Sequence, residues 1–209
     1  MKPVIIVGAG GHAKVLLDVL LCSERKVIGI TDFDKKKWGS LVDGVPVLGG
    51  DEVVFSYNID EIELVNGIGS VGSMNKRKNI YEYFKNKAYL FSNVIHPSAI
   101  VSSNAVLANG VQLLPGCIVN AGAFIGDNSI VNTRASIDHD VSIGRHVHIA
   151  PGVTISGGAT IGDCTHIGTG ATVIQGVHIG SHVLIGAGAV VVKDIPDNCK
   201  AYGVPAREV

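Results

Sequence analysis

Residues 131–149 decide the fold, and they read VNTRASIDHDVSIGRHVHI. Within this stretch an aliphatic residue returns at every sixth position, at Val131, Ile137, Ile143 and Ile149. A period of six fits neither the 3.6-residue repeat of a helix nor the alternation of a plain strand. It is typical of a chain that forms a short strand, turns a corner and repeats, with the aliphatic residue pointing inward.

The same series extends in both directions along the chain. Stepping by six from Ile95 to Val191 meets only Ile, Val or Leu. The position four residues after each of them is almost always small or slender. Gly often follows the aliphatic residue, and we expect it to serve corners that need unusual backbone dihedrals. This pattern predicts a parallel β-helix of hexapeptide repeats, with three hexads per coil and about five to six coils.

The composition excludes several classes of protein. The 209 residues include 27 Gly, and 46% of them are hydrophobic, yet only 5% are aromatic and 17% charged. A disordered chain has more charge, a coiled coil has less Gly, and collagen needs Gly at every third position. The net charge of −1 makes a nucleic-acid partner unexpected. The two basic blocks, residues 35–37 and 76–78, are expected to lie on a solvated surface.

Residues 1–94 have a different amino-acid composition, because they hold most of the charges and nearly all the aromatic residues. We therefore predict two domains, residues 1–94 and 95–209. Patterns in the first part predict strands at 3–7, 27–31, 63–67 and 88–91, and helices at 11–22 and 73–87. The apolar stripe of the first helix is predicted at Val15, Leu16, Val19 and Leu20. This alternation predicts a short Rossmann-like domain with a parallel sheet, with room for about half of a doubly wound dinucleotide fold.

The residues GAGGHA at 8–13 follow a predicted strand and open a predicted helix. They fit the GxGxxA turn, in which glycines let the backbone approach a pyrophosphate and the helix N-terminus supplies N–H donors. Asp32, at the end of the second strand, is placed to bind a ribose hydroxyl. The ligand could be NAD, or a nucleotide attached to another group. A tight turn without a ligand is the alternative interpretation.

One corner of the predicted β-helix carries His139 followed directly by Asp140. An imidazole beside a carboxylate is a candidate general base, since the acid can orient it and raise its basicity. On spacing alone, a solvated polar corner remains the alternative.

Two further pairs of histidines are separated by whole coils. His148 and His166 are one coil apart and are expected to stack on one face, while His146 and His182 are two coils apart and share another. A metal site between subunits is conceivable in such a prism. We expect none, because the zinc-dependent hydrases of this fold use histidines five residues apart, a spacing absent here.

The cysteines and the apolar stretches of the sequence indicate the cellular compartment of the protein. The four cysteines form no CxxC pair, which favours reduced thiols over disulfides or a zinc site. Residues 164–192 lack Asp, Glu, Lys and Arg, but their His, Gln, Thr and Gly content argues against a membrane span. The N-terminus turns polar too soon for a signal peptide. We expect a cytoplasmic protein.

Several features of the chain occur together in one family of enzymes. They are the GAGGH turn at 8–12, the short α/β domain, the hexapeptide β-helix with Asn132, His139, Asp140 and His148, and a terminal YGVPA at 202–206. This combination resembles the hexapeptide-repeat sugar acetyltransferases of the sialic-acid O-acetyltransferase and UDP-N-acetylbacillosamine-pathway N-acetyltransferase type. The resemblance covers essentially the whole chain.

The resemblance implies a left-handed β-helix, acetyl-CoA as co-substrate and no metal. The implied reaction moves an acetyl group to the 4-amino group of a UDP-linked 4-amino-4,6-dideoxy sugar, for bacterial glycan or glycoprotein synthesis. The charge-poor prism further suggests buried lateral faces, and hence a homotrimer with acetyl-CoA held between subunits.

By position in the family, His139 is implied as the base that accepts the amine proton, and Asp140 as the residue that raises its basicity. The residues implied to contact the nucleotide sugar are Gly10, Gly11, His12, Thr31, Asp32, Gly69 and Gly72. The residues implied to lie along acetyl-CoA are Asn132, His148, Gly157, Thr169 and Ala187. O-acetylation of a sialic acid is the alternative within this class. A non-catalytic nucleotide-binding scaffold is the alternative outside it.

Overall fold

The structure is a computed structural model that describes residues 2–70 and 74–209. The chain forms two compact units, one ending at Pro97 and one from Ser98 to Val209. None of the described helices is long and apolar enough to cross a bilayer.

The first unit contains a five-stranded sheet. Its strands are β1 Val4–Val7, β2 Val27–Thr31, β3 Leu41–Val42, β4 Val45–Gly49 and β5 Glu63–Asn66. Their order is β3-β4-β2-β1-β5, in which only β3 runs antiparallel to its neighbour. All four residues of β1 are buried, as expected for a central strand covered on both faces. The predicted parallel sheet is thus confirmed.

Two helices flank this sheet, α1 Gly11–Cys22 and α2 Asn75–Lys85, together with 3-10 helices at Lys35–Lys37 and Asp51–Ser56. The buried residues of α1 are Ala13, Leu16, Leu17, Val19 and Leu20. The predicted stripe was therefore wrong at Val15, which is 39% exposed. Ala13, Leu16, Leu17 and Leu20 follow the i, i+3, i+4, i+7 spacing of one helix face, and Val15 lies off that face.

Two other predictions for this unit need correction. The predicted strand at 88–91 is reduced to a single bridge between Phe91 and Leu64, because Ala88 adopts a positive φ of 65° that no strand tolerates. The hairpin of β3 and β4 was not predicted at all. A two-residue strand, Val94–Ile95, lies near the end of the unit.

The second unit is a three-sided prism of two-residue strands, a left-handed parallel β-helix. Its first sheet holds Ile100–Val101, Ile118–Val119, Ser136–Ile137, Thr154–Ile155, Thr172–Val173 and Val190–Val191. The second holds Val106–Leu107, Phe124–Ile125, Ser142–Ile143, Thr160–Ile161 and His178–Ile179. The third holds Gln112–Leu113, Ile130–Val131, His148–Ile149, His166–Ile167 and Leu184–Ile185, and continues with Lys200–Tyr202 and Arg207–Glu208. From Ile100 to Val191 each strand pairs with the one 18 residues away, as with Ile118 and Ser136, which confirms three hexads per coil. The last two strands depart from this spacing, because Lys200 pairs with Leu184 and Arg207–Glu208 forms an antiparallel hairpin with Lys200–Tyr202.

The aliphatic series forms the core of the prism. From Leu113 to Val191 every member is at most 3% exposed. Val101 and Leu107 are partly buried, and Ile95 is 40% exposed, so it does not point into a closed core as predicted. Ile95 begins the series, and no earlier coil of the repeat exists to cover it.

The corners follow a second six-residue rule. Every sixth residue from Gly110 to Gly188 has a positive φ, and several of these residues are not Gly, Asp140 and His146 among them. The glycines directly after an aliphatic residue serve a different purpose from the one predicted. At Gly162, for example, a Cβ would lie 2.5 Å from the backbone of Gly180 in the next coil. Those glycines permit close stacking of coils, while the left-handed corners lie two residues further on.

Candidate active site

The corner that joins the first sheet to the second carries His139 and Asp140. Nδ1 of His139 lies 2.9 Å from Oδ2 of Asp140. Both side chains are more than half exposed. An imidazole that donates its Nδ1–H to a carboxylate presents Nε2 as an acceptor, which is the state required of a general base.

The surroundings of His139 strengthen this state. Oδ1 of Asp138 accepts hydrogen bonds from the backbone N–H of His139, at 2.8 Å, and from the amide of Asn120, at 3.1 Å. The hydrogen bond with Asp140, together with the charge of Asp138, raises the pKa of His139 above its ordinary value. The imidazole is therefore a stronger base than a free histidine.

Two glycines make room for this pair. A Cβ on Gly157, one coil above His139, would lie 2.5 Å from Nε2 of the imidazole. A Cβ on Gly122, one coil below, would clash with Oδ1 of Asp140. The family resemblance implied that Gly157 lies along acetyl-CoA, and the structure places it directly against Nε2 of His139.

A second cluster lies on the third sheet. The amide nitrogen of Asn132 lies 3.0 Å from Nε2 of His148. His148 and His166 are register partners, with ring centroids 4.9 Å apart in an edge-to-face arrangement, so the predicted stacking is confirmed. His148 is only 9% exposed, and burial lowers the pKa of His166. The predicted residues Asn132 and His148 thus form one cluster.

This cluster and His139 are not brought together within one chain. His139 lies at the corner between the first and second sheets, whereas His148 lies in the third sheet. In a three-sided prism, the corner between two sheets lies across the prism from the third sheet. A site that uses both histidines therefore needs a second copy of the prism.

The other two predicted acetyl-CoA residues lie at a different corner. Thr169 and Ala187 are exposed and one coil apart, where the third sheet passes into the first. A groove of about 690 Å³ runs along this corner, and its lining includes Thr169, Pro151 and Thr133. The groove begins next to the Asn132–His148 cluster, because Thr133, which follows Asn132 in the chain, lies on its lining.

The predicted nucleotide-sugar residues lie in the first unit, at the carboxyl ends of its strands. Gly10 is the N-cap of α1 and Gly11 its first residue, and a Cβ at either position would meet nothing within 4 Å. His12 packs under Gly69, where a Cβ would lie 3.3 Å from that of the histidine. The turn thus leaves an open backbone surface in front of a helix N-terminus. Gly72 lies outside the described residues.

Asp32 is buried and bonded within its own loop. Its carboxylate accepts hydrogen bonds from the backbone N–H groups of Ala9 and Asp34 and from Nζ of Lys37, at 2.8 to 2.9 Å. Desolvation opposes its ionisation, but these three donors prevail and lower the pKa of Asp32. Thr31, the other predicted residue here, is fully buried and donates its hydroxyl to Oδ1 of Asp51 at 2.7 Å.

The expectation of a solvated surface for the basic blocks was wrong at Arg77. Lys37 is bonded to Asp32 and to the carbonyl of Ala9, but its side chain remains 39% exposed. Arg77 is fully buried, and its Nη1 donates to the carbonyls of Asn66 and Ile68. Burial lowers the pKa of Arg77 to about 9, so the guanidinium stays charged at neutral pH. Arg77 therefore anchors the loop that follows β5.

Sequence reasoning missed a cavity of about 410 Å³ beside these residues. Its lining includes Phe33, Asp51, Lys76 and Asn79, none of which was predicted. Asp51 follows directly on β4, and recognition of the hairpin at Asp43-Gly44 would have placed it at the same sheet edge as Asp32.

Known families match both units of the chain. Residues 3–84 match the PglD N-terminal domain, and residues 122–157 and 158–193 match the bacterial transferase hexapeptide repeat.

The chain is 37% identical to a solved histidine variant of perosamine N-acetyltransferase from Caulobacter crescentus in complex with CoA and GDP-perosamine, with a TM-score of 0.92 over 100% of this chain and 97% of that one. It is 35% identical to the acetyltransferase domain of PglB from Neisseria gonorrhoeae FA1090, with a TM-score of 0.91 over 100% of both chains. WeeI from Acinetobacter baumannii AYE, at 24% identity over the full length of both chains and a TM-score of 0.88, shares the fold. The chain belongs to the hexapeptide-repeat sugar acetyltransferases.

The two cysteines inside the β-helix of this acetyltransferase are poorly placed for covalent catalysis. Cys117 and Cys164 are buried, and burial raises the pKa of the Cys117 thiol to about 11. A thiol with that pKa carries almost no thiolate at neutral pH. Over residues 2–70 and 74–209, no group of three or more His, Cys, Asp or Glu side chains is placed to hold a metal ion.

Proposed function

We propose that this acetyltransferase moves an acetyl group from acetyl-CoA to an amino group of a nucleotide-linked 4-amino-4,6-dideoxy sugar, with His139 as general base. The observation that carries the proposal is the exposed His139–Asp140 pair, with Nδ1 and Oδ2 2.9 Å apart. The relatives support the reaction class, because perosamine N-acetyltransferase was solved with CoA and GDP-perosamine, and the PglB domain with acetyl coenzyme A.

The chemistry needs only groups that this chain supplies. The sugar amine attacks the thioester carbonyl, a C–N bond forms, and Nε2 of His139 takes a proton from the amine nitrogen. Asp140 stabilises the imidazolium that results. The tetrahedral intermediate then collapses, the C–S bond breaks, and the imidazolium returns the proton to the CoA sulfur. Since both substrates bind together, no covalent enzyme intermediate is required.

The two predicted domains divide the binding. We assign residues 1–94 to the nucleotide sugar, because the Gly8–Gly11 turn offers N–H groups and a helix N-terminus to a diphosphate. We assign residues 95–209 to acetyl-CoA, with Asn132 and His148 beside the thioester and Gly157, Thr169 and Ala187 along the arm. Asp32, already bonded to three donors, supports the turn and retains few lone pairs for a ribose hydroxyl.

The active site is proposed to form between subunits of a homotrimer. His139 and His148 lie at opposite sides of one prism, so a neighbouring copy must supply one of them. Exposed apolar side chains on the two sheets that flank the His139 corner support contact with another copy. They are Ile100, Val106 and Phe124, which are 65%, 56% and 42% exposed. A patch of this kind on a soluble prism is typical of a protein–protein contact.

A cytoplasmic location is proposed with the function. The described chain has no membrane-spanning helix, and its four cysteines are free thiols. Free thiols suit a reducing compartment.

The test is direct formation of product. Purified enzyme is incubated with acetyl-CoA and, in separate reactions, nucleotide-linked 4-amino-4,6-dideoxy sugars and a sialic acid, and free CoA and acetylated sugar are quantified. We expect stoichiometric CoA release and N-acetylation of an amino sugar. Acetylation of the sialic acid hydroxyl alone would contradict the proposal.

A further inference from the structure

The cavity in the first unit is lined by an aromatic ring and by aliphatic side chains. Phe33 lies on its lining and is 85% exposed, so its ring face is accessible to a ligand in the cavity. Ile68 and Ile80 line the same cavity and are only partly exposed. An aromatic face and aliphatic walls are the surroundings in which proteins stack nucleobases.

The polar side chains on this lining are arranged unevenly. Asp32 has both carboxylate oxygens engaged by donors of its own loop. Asp51 has a single side-chain partner, the Thr31 hydroxyl on Oδ1, and within the described chain its Oδ2 accepts no hydrogen bond. Asp51 is half-buried, and burial together with the nearby charges of Glu52 and Asp32 raises its pKa. The cavity therefore offers a fixed, unsatisfied carboxylate to whatever enters it.

Lys76 and Asn79, from the first two turns of α2, complete the polar lining. Both side chains are exposed and can donate hydrogen bonds. The ligand should therefore present donors towards Asp51 and acceptors towards α2.

Only one common base has that pattern. Guanine carries two adjacent donors, N1–H and the N2 amino group, which match the two oxygens of a carboxylate, and two adjacent acceptors, O6 and N7, which match an ammonium or an amide. Uracil carries a single N3–H between two carbonyl oxygens, which a carboxylate repels. In cytosine and adenine, the amino group stands beside ring-nitrogen acceptors.

The position of Asp51 in the sheet agrees with this role. The phosphate turn follows β1, Asp32 ends β2, and Asp51 follows β4, which is the next strand outward in the order β4-β2-β1. A nucleotide whose diphosphate lies at the turn extends in that direction.

We propose that this cavity selects guanine through Asp51, with Phe33 as the stacking surface, so that the sugar carrier is GDP and not UDP. The proposal rests on the proposed function, since it names the carrier of the same substrate. It replaces the UDP carrier that the sequence resemblance implied.

The test is isothermal titration of the full-length protein with GDP, IDP, XDP and UDP. Wild-type protein should bind GDP at least about tenfold more tightly than UDP, and more tightly than IDP, which lacks the N2 amino group. In Asp51→Asn, the amide can donate to the O2 carbonyl of xanthine but no longer accepts from N2. We expect this variant to lose at least about tenfold in GDP affinity and to gain affinity for XDP, a gain that a misfolded variant cannot show.

Two controls separate base recognition from other effects. Asp43→Asn removes one negative charge at the exposed turn of the β3–β4 hairpin and should leave the GDP-to-UDP ratio unchanged. Phe33→Ala should weaken all four nucleotides by a similar factor, because stacking is not base-specific. UDP binding as tight as GDP in the wild type, or unchanged GDP affinity in Asp51→Asn, would overturn the proposal.

Activity assays distinguish this proposal from the one on which it rests. Acetylation of a UDP-linked but not a GDP-linked amino sugar would refute guanine selection and leave acetyl transfer standing. Selective GDP binding without acetylation of any nucleotide-linked amine would refute the reaction and leave the base assignment standing.

Discussion

At the scale of single residues, the basicity proposed for His139 in catalysis depends on the carboxylate next to it, whose hydrogen bond raises the pKa of the imidazole. The pairing with Asp140 could be predicted from sequence, because the two residues are adjacent at a polar corner. The geometry could not, since Asp140 reaches the imidazole from a left-handed backbone, with a φ of 57°. Sequence also missed Asp51, because its position depends on a hairpin that the apolar pattern of residues 41–47 did not indicate.

Replacement of Asp140 by Asn tests the basis of this reactivity. Asp140 raises the pKa of His139, so Asp140→Asn should lower it. A general base must be unprotonated, and activity is lost as pH falls through its pKa; a lower pKa therefore moves the acid limb of the kcat/KM profile to lower pH. The weaker base should also reduce the plateau by about tenfold. An acid limb at unchanged pH would show that Asp140 does not tune the titrating group.

At the scale of elements, the six-residue period predicted the strands of the prism and their pairing 18 residues apart. The period works because every coil meets the same packing requirement, an aliphatic residue inside and a tight turn at each corner. The first unit has no such repeat, so a two-residue strand such as β3 leaves no periodic pattern in its sequence. There β3 and β4 are held by an Asp43-Gly44 turn with φ values of 46° and 83°, a short-range hairpin signal that apolar periodicity does not reveal.

The 18-residue stacking gives Gly157 a role that can be measured. Gly157→Ala would place a methyl group against Nε2 of His139, and the exposed imidazole should rotate away towards solvent. We expect kcat to fall by about 10- to 100-fold with little change in melting temperature, since misplacement by about 1 Å can cost that much. Gly176→Asn is the control, because Gly176 lies one coil after Gly158, at a left-handed corner of the kind that Asn128 already occupies. Equal effects of the two substitutions would rule out a specific role for Gly157.

At the scale of the whole molecule, His139, the proposed general base, and the His148 cluster belong to opposite sides of the prism. Sequence predicted each group, but not their separation, which follows from the positions of three sheets around one axis. A shared site predicts complementation between two inactive variants, His139→Ala and His148→Ala.

Mixed trimers of these variants should recover activity. If each site combines His139 of one subunit with His148 of the next, every mixed trimer has one intact site in three, and random mixing restores about one quarter of wild-type activity. The control mixes His139→Ala with the double variant, which can form no intact site. Lack of recovery in mixtures shown by mass spectrometry to contain hybrid trimers would contradict a site formed between subunits.

The role of His139 is tested most directly by the turnover of His139→Ala with acetyl-CoA and the nucleotide-linked amino sugar that the wild type acetylates. We expect kcat to fall by about 10² or more, with acetyl-CoA affinity and melting temperature preserved. His178→Ala, at an exposed histidine on the second sheet, should retain nearly full activity. Near-normal turnover by His139→Ala would contradict the assignment of His139 as the general base.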